Sequence, residues 1–123
     1  MIEHHFDESH AILHVQPKGS LEEADFEALA GEVDPFIADG GELAGLIVET
    51  PGFPGWSSVA SMIAHLRFVR DHHRHIRKVA VVTDSPLGNL AEHVASHFVA
   101  AEIKPFPAGE VEAARLWILG DGE

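Results

Sequence analysis

The spacing of hydrophobic residues changes several times along the chain, and each change predicts a new element. From Ala11 to Gln16, apolar residues alternate with a more mixed set, which is typical of a β-strand covered on one face. A shorter strand from Glu3 to Phe6 precedes it, and the turn-forming residues 7–10 separate the two. The amino-terminal part therefore predicts a β-hairpin.

Helical spacing follows the hairpin. Ser20, with Glu23 three positions later, has the sequence pattern of a capping box, and apolar residues then recur at helical intervals. Pro35 predicts a kink or a restart of this helix. The segment from Leu43 to Glu49 is then apolar almost throughout, which is typical of an interior parallel strand.

A loop rich in proline and glycine, Thr50 to Gly55, separates this strand from a helix that we expect to run from Trp56 to about His72. Its apolar residues cover more of the circumference than a simple surface helix needs. The helix is therefore expected to line a pocket, to form a subunit interface or to fill the core.

Strand and helix patterns alternate in the rest of the chain. The predicted elements are a strand at Lys78–Thr83, a helix capped by Ser85, an edge strand at Ile103–Phe106 and a helix from about Gly109 to Leu119. The whole chain, residues 1–123, is predicted to be a single α/β domain with element order ββαβαβαβα. Its sheet is expected to be mixed, mostly parallel and about five-stranded, with the first strand antiparallel.

Charge and composition narrow the classes of function. The formal net charge is −12, and Lys18 is the single base among residues 1–66, whereas five of the eight bases fall within residues 67–78. Overall acidity of this size argues against nucleic-acid binding. There is no cysteine, no signal-peptide pattern and no long apolar run, so we expect a cytoplasmic protein that does not span a membrane.

No catalytic or cofactor motif is recognisable. The glycine pairs match neither a phosphate loop nor a dinucleotide fingerprint, and no serine has the flanking glycines of a nucleophile elbow. The expectation is that the protein is not an enzyme and needs no cofactor. Histidines cluster at 72–75 near His65 and recur at His93 and His97, but their spacing fits surface histidines better than a metal site.

An apolar constellation is the most promising candidate site. It consists of two residues at the Pro/Gly loop and two on the helix that follows, namely Phe53, Trp56, Met62 and Phe68. Open α/β sheets bind ligands beyond the carboxyl ends of their parallel strands, where this loop is expected to lie. The four side chains are therefore either a site for an apolar ligand or part of the core or an interface.

The carboxyl-terminal third carries a family resemblance. Residues Ala101-Glu102-Ile103-Lys104, with Phe106, Glu110, Ala113-Ala114 and Trp117 behind them, resemble the SpoIIAA-like proteins, relatives of the STAS and Sec14-type domains. Matching segments in the same order lie at 22–26, 46–49, 53–56 and 76–82. The resemblance implies this family's fold, with consecutive βα units wound in one sense and the helices on one side of the sheet.

The resemblance also bears on Ser57 and Ser58. In STAS relatives that regulate sigma factors, a serine at this location is phosphorylated within an Asp-Ser-Ser/Thr-Gly-like motif. Here the order is Gly55-Trp56-Ser57-Ser58-Val59, which lacks both the Asp and the Gly. The two serines are thus either a regulatory phosphorylation or anion site, or ordinary caps of the following helix.

Two functions therefore remain open. The first is a non-catalytic regulatory or protein-interaction module of the SpoIIAA-like/STAS type. The second is a carrier or sensor of a small apolar ligand, such as a lipid or acyl chain, as in Sec14-type domains. We also expect a homodimer, because the helix from Trp56 to His72 is apolar over more than one stripe and the charge is divided between the halves of the chain.

Overall fold

An antiparallel hairpin opens the fold, as the turn-forming residues predict. In this computed structural model, which describes residues 1–51, 55–84 and 100–120, β1 (Ile2–Asp7) pairs antiparallel with β2 (Ile12–Pro17). The turn is closed by hydrogen bonds from His10 N–H to Asp7 O (3.2 Å) and to the Asp7 carboxylate (3.3 Å). Arg115 near the other end of the chain donates to the same carboxylate at 2.7 Å.

The first helix, α1 (Glu23–Ala38), begins later than its sequence pattern suggests. Its N-cap is Glu22 rather than Ser20, because the Asp25 carboxylate accepts the Glu22 N–H at 2.8 Å. The helix does not restart at Pro35 and continues as one element to Ala38. One backbone donor is lost at Pro35, but Asp39 N–H still closes the last turn by donating to Pro35 O.

Strands and helices then alternate. The remaining elements are β3 (Leu43–Glu49), α2 (Val59–His72), a 3-10 turn (His73–His75), β4 (Ile76–Val82), β5 (Glu102–Phe106) and α3 (Val111–Leu119). The sheet has the order β1-β2-β3-β4-β5, and every pair after the first is parallel. The predicted mixed, mostly parallel five-stranded α/β fold is confirmed. The helix predicted after Ser85 lies outside the described residues.

Neighbouring residues on the central strands pack in different cores. On β2, Leu13 and Val15 pack with α1, whereas Ile12 packs with Ala114 and Ile118 of α3. Helices α1 and α2 contact each other, and both lie on the face opposite to α3. The expectation that the helices gather on one side is therefore wrong for α3. Strand alternation shows that both faces are apolar, but it does not assign a helix to either.

The core under α3 is tightly packed. A β-carbon placed at Gly45 on β3 would lie 2.4 Å from Ile118 Cδ1, so only glycine lets α3 approach the sheet this closely. Lys78 is buried on the same face, where its ammonium donates to Trp117 O at 2.9 Å and lies 4.7 Å from the centre of the Trp117 ring. This charge is stabilised by a carbonyl and an aromatic face.

Candidate functional site

Three valines form the floor of a cavity on the face covered by α1 and α2. Parallel pairing places Val15 of β2 opposite Val48 of β3, and Val48 opposite Val81 of β4. Because side chains alternate between faces, all three project toward α1 and α2. We call these three residues the valine row. It crosses the sheet near the carboxyl ends of the parallel strands, where open α/β sheets bind ligands.

Both helices of this face contribute walls. The cavity has a volume of about 290 Å³ and lies between the valine row and side chains of α1 and α2. The remaining lining residues are Phe26 and Leu29 of α1, His65, Phe68 and Val69 of α2, and Ile2, Pro17, Leu21, Leu46 and Thr50. We call this cavity the apolar pocket, because among the described lining residues only Thr50 and His65 have polar side chains.

The size and lining of the apolar pocket suit an apolar guest. An apolar cavity of roughly 150 Å³ stays dry and accepts one benzene molecule. A cavity of about 290 Å³ therefore has room for an apolar molecule with roughly twice as many carbon atoms as benzene. A void of this size leaves the lining side chains without partners on one side, which costs packing energy. A bound apolar molecule would restore those contacts.

His65 is held in place by two aromatic side chains. Its ring stacks on Phe26 with centroids 4.9 Å apart and an interplanar angle of 15°. Its Nδ1 accepts the indole N–H of Trp56 at 3.1 Å. Burial lowers the pKa of His65 below its ordinary value of 6.5, because the charged imidazolium is disfavoured among apolar neighbours.

Trp56 is fixed beside the pocket by the backbone. Leu21 N–H donates to Gly55 O at 2.8 Å, and Ser57 N–H donates to Leu21 O at 2.9 Å, so a short parallel bridge joins Leu21 to Trp56. Leu21 lines the pocket and Trp56 does not, although Trp56 contacts the wall through His65. The indole is 37% exposed. Trp56 thus contacts His65 from outside the described lining of the pocket.

The four residues predicted for a ligand site are placed differently by the structure. Phe68 lines the pocket, Trp56 supports its wall, and Met62 is half-buried on α2 but is not part of the lining. Phe53 lies outside the described residues. The structure therefore brings one of the four into the pocket and a second into contact with it.

Sequence reasoning missed His65 and the valine row. His65, Phe68 and Val69 are spaced i, i+3, i+4, so the helical period that placed Phe68 also places His65 on the same face. The histidine was instead grouped with the polar histidines near the end of α2. The valine row depends on strand register, which is not readable from single strands.

Ser58 acts as the N-cap of α2. Its hydroxyl accepts Ser61 N–H at 3.1 Å, and the buried Ser61 hydroxyl also lies 2.8 Å from that of Ser57. Both Ser57 and Ser58 are exposed. The cap displaces the helix start from the predicted Trp56 to Val59. These contacts support the capping interpretation through Ser58. Phosphorylation or anion binding at Ser57 and Ser58 stays a hypothesis.

The remaining histidines are separated by their contacts. The buried His72 pairs with Asp34 at 2.7 Å through Nε2, whereas Nδ1 of His73 accepts Ala100 N–H at 2.9 Å. Among residues 1–51, 55–84 and 100–120, no three metal-binding side chains come together. His93 and His97 fall outside these ranges.

A second, polar recess of about 230 Å³ shares Pro17 and Thr50 with the apolar pocket. Its wall includes Lys18 and Glu49, and the Glu49 carboxylate is 2.9 Å from His14 Nε2 and accepts the Gln16 side-chain amide at 2.8 Å. A ligand that used this carboxylate would compete with those two contacts. The apolar pocket is therefore the better candidate site.

The outer face of α2 carries an exposed apolar stripe. Val59, Ile63 and Leu66 are spaced i, i+4, i+7 and are 69%, 45% and 59% exposed. We call these three residues the α2 stripe. Within the described residues, no helix is long and apolar enough to cross a membrane, and the stripe occupies one side of a helix whose other side packs on the protein.

Comparisons with known proteins agree with this fold. The sequence profile of the SpoIIAA-like family matches residues 12–119. A crystal structure of an uncharacterised protein from Shewanella loihica PV-4, of the DUF3478 family and with a SpoIIAA-like fold, superposes with a TM-score of 0.71 and 20% identity. The similarity covers 95% of this chain and 93% of that protein. No curated protein matches the sequence.

Proposed function

The chain belongs to the SpoIIAA-like family, and from that premise we propose that it is a carrier or sensor that binds one small apolar ligand in the apolar pocket. The single observation that supports this function is a cavity of about 290 Å³ with an almost entirely hydrocarbon lining at the carboxyl ends of β2, β3 and β4. Ligand sites are concave, mostly apolar and placed at such strand ends.

Binding without chemical conversion fits the lining. The two polar side chains in it are Thr50 and His65, and Nδ1 of His65 is engaged by Trp56. A histidine that accepts an indole N–H is not free to act as a base through that nitrogen. The pocket therefore suits a non-catalytic module that reports or carries a ligand.

Filling the pocket should abolish binding. Val48 lies in the middle of the valine row, so the phenyl ring of Val48→Phe would occupy much of the cavity. An environment-sensitive fatty-acyl probe should bind the wild type in a one-to-one ratio and should bind Val48→Phe at least tenfold more weakly. Leu116→Phe, an apolar exchange at a 60% exposed position on α3, is the control and should bind normally. Equal binding by all three proteins, or by none, would refute the proposed function.

We also propose that the protein self-associates through the α2 stripe. Self-association would favour a function as a protein-interaction module of the same fold. Exposed apolar residues at three successive turns of one helix are a typical feature of an interface. A second copy is the best-matched occupant because of the distribution of charge. Glu23 and Glu27 lie near the start of α1, and Arg67 and Arg70 lie near the end of α2, where Arg70 also pairs with Asp71 at 2.8 Å.

The two helices run in the same direction, since Phe26 stacks near His65 and Asp34 pairs with His72. A two-fold axis that passes through the α2 stripe perpendicular to α2 would set this helix antiparallel to its copy. The basic end of each α2 would then approach the acidic start of the other α1. Charge would set the orientation and apolar burial would supply the affinity.

Light scattering tests the dimer. The wild type at micromolar concentration should give twice the chain mass of 13.3 kDa, and Leu66→Asp should give the chain mass. The half-buried Met62 is a poorer position for this test, because aspartate there would also disturb the fold. Leu116→Asp on α3 is equally exposed and should leave the mass unchanged. A monomeric wild type would refute the dimer and leave the ligand site untouched.

A further inference from the structure

We infer that the ligand of the apolar pocket carries an uncharged hydrogen-bond acceptor, such as a ketone or ester oxygen, which accepts the Nε2–H of His65. This inference rests on the proposed function and specifies the class of ligand. It follows from the Trp56–His65–Phe26 arrangement and from the absence of lysine and arginine among the described lining residues.

The partner of Nδ1 fixes the tautomer of His65. An indole N–H can only donate, so Nδ1 must accept the Trp56 hydrogen bond of 3.1 Å and carries no proton. A neutral imidazole then has its proton on Nε2. Burial, which lowers the pKa of His65, favours this neutral form. The ring therefore offers one donor, Nε2–H.

The same contacts direct that donor toward the pocket. His65 lines the pocket, whereas Trp56, which bonds to Nδ1, does not. The Nδ1 edge of the ring thus faces away from the cavity, and the opposite edge remains for the lining. Stacking on Phe26 at an interplanar angle of 15° restricts rotation of the ring. Within the described residues, no hydrogen bond to His65 Nε2 is present.

The lining selects an uncharged acceptor. No lysine or arginine lines the pocket in the part of the chain that the structure describes, so a carboxylate would lose its hydration without gaining a cation. A saturated hydrocarbon would leave Nε2–H without a partner once water was displaced. A carbonyl oxygen avoids both costs. The expected preference for a ketone over a hydrocarbon of the same shape is roughly tenfold.

Three probes of matched length test this assignment. The first is 2-octanone; the second is 2-methyl-1-octene, which has a methylene group in place of the carbonyl oxygen; the third is octanoate. Affinity is measured by displacement of the fluorescent acyl probe at pH 8. The wild type should bind 2-octanone roughly tenfold tighter than the alkene, and octanoate should be the weakest. His65→Phe, which keeps an aromatic ring on Phe26, should bind the ketone and the alkene equally.

The outcomes separate the inference from the proposed function. Equal affinity for ketone and alkene in the wild type, tightest binding of octanoate, or an unchanged preference in His65→Phe would each overturn the inference while the binding function stands. Failure of all three probes to bind would overturn the function itself. If His65→Phe does not fold, the ring ¹⁵N and ¹H signals of wild-type His65 decide. 2-Octanone should shift the Nε2–H resonance downfield and the alkene should not; an unshifted resonance in both would overturn the inference.

Discussion

The two faces of the sheet are built from the same strands but packed differently. Under α3, Ile12, Ile47, Ala80 and Val82 meet Ala114 and Ile118 closely enough that Gly45 cannot carry a β-carbon. Under α1 and α2, the valine row faces a cavity of about 290 Å³. Residues alternate between these two faces along every strand. We call the face under α3 the filled face and the face under α1 and α2 the unfilled face. The difference indicates close packing on the filled face and space for a guest on the unfilled face, which among the described residues also buries the larger apolar cluster.

The largest expected effect is the loss of a side chain from the filled face. Ile118→Ala removes three carbons from a buried site that is closely packed against Gly45, and it should lower the free energy of unfolding by about 2–5 kcal/mol. Leu29→Ala removes the same number from the pocket wall, where the lost atoms already lack partners on one side. Urea denaturation should therefore show the smaller loss for Leu29→Ala. Equal losses would remove the contrast between the faces.

Adding atoms should have opposite consequences on the two faces. Gly45→Ala would force Ile118 and α3 away from β3, and we expect a loss of about 1–3 kcal/mol. Val81→Ile adds one carbon toward the pocket and should be neutral or slightly stabilising, because it fills empty space. The check is the urea midpoint of each variant. A larger loss for Val81→Ile than for Gly45→Ala would contradict the difference in packing between the two faces.

Much of this contrast was not predictable from the sequence. The strands and their parallel order were predictable from the sequence, because alternation and apolar runs are local patterns that the sheet preserves. The face of the sheet that α3 covers could not be predicted. The positions of Ala114 and Ile118 show that α3 has an apolar stripe, but they do not show which side of the sheet this stripe contacts. Of the residues predicted for a ligand site and described by the structure, only Phe68 lines the pocket. The valine row required register, and His65 required the Trp56 contact.

The smallest expected effect is a pH dependence confined to the unfilled face. The pKa of His65 is lowered in the folded protein, so the unfolded chain takes up the proton first as pH falls. Its contribution to stability is complete above the ordinary value of 6.5 and declines as pH falls below it. Denaturation at pH 7.5 and pH 5 should show a decline for the wild type that is smaller in His65→Phe. An identical decline in stability in the wild type and in His65→Phe would show that His65 is not the source of the pH dependence.

A carboxyl group outside the pocket lining provides a control for the pH dependence assigned to the His65 imidazole. The pKa of Asp7 lies well below its ordinary 3.8, chiefly because Arg115 donates a hydrogen bond to the carboxylate. A lowered pKa of this kind gives stability that is lost only as pH falls below that ordinary value. In a His10→Gln background, which removes the histidine whose Nδ1 lies 2.8 Å from this carboxylate, Asp7→Asn should therefore leave the change between pH 7.5 and pH 5 unaltered. An altered change in this variant would mean that the pH dependence is not specific to the pocket.

The two tryptophans allow the most direct test of the central claim, because one lies beside each face. Trp56 contacts the pocket wall through His65, and Trp117 lies on α3 beneath Lys78. Titration with 1-bromooctane, whose heavy atom quenches nearby indoles, is to be followed in Trp117→Phe and in Trp56→Phe. Saturable quenching is expected where Trp56 remains and none where Trp117 remains. Equal quenching of both, or quenching of Trp117 alone, would contradict a ligand site on the face covered by α1 and α2.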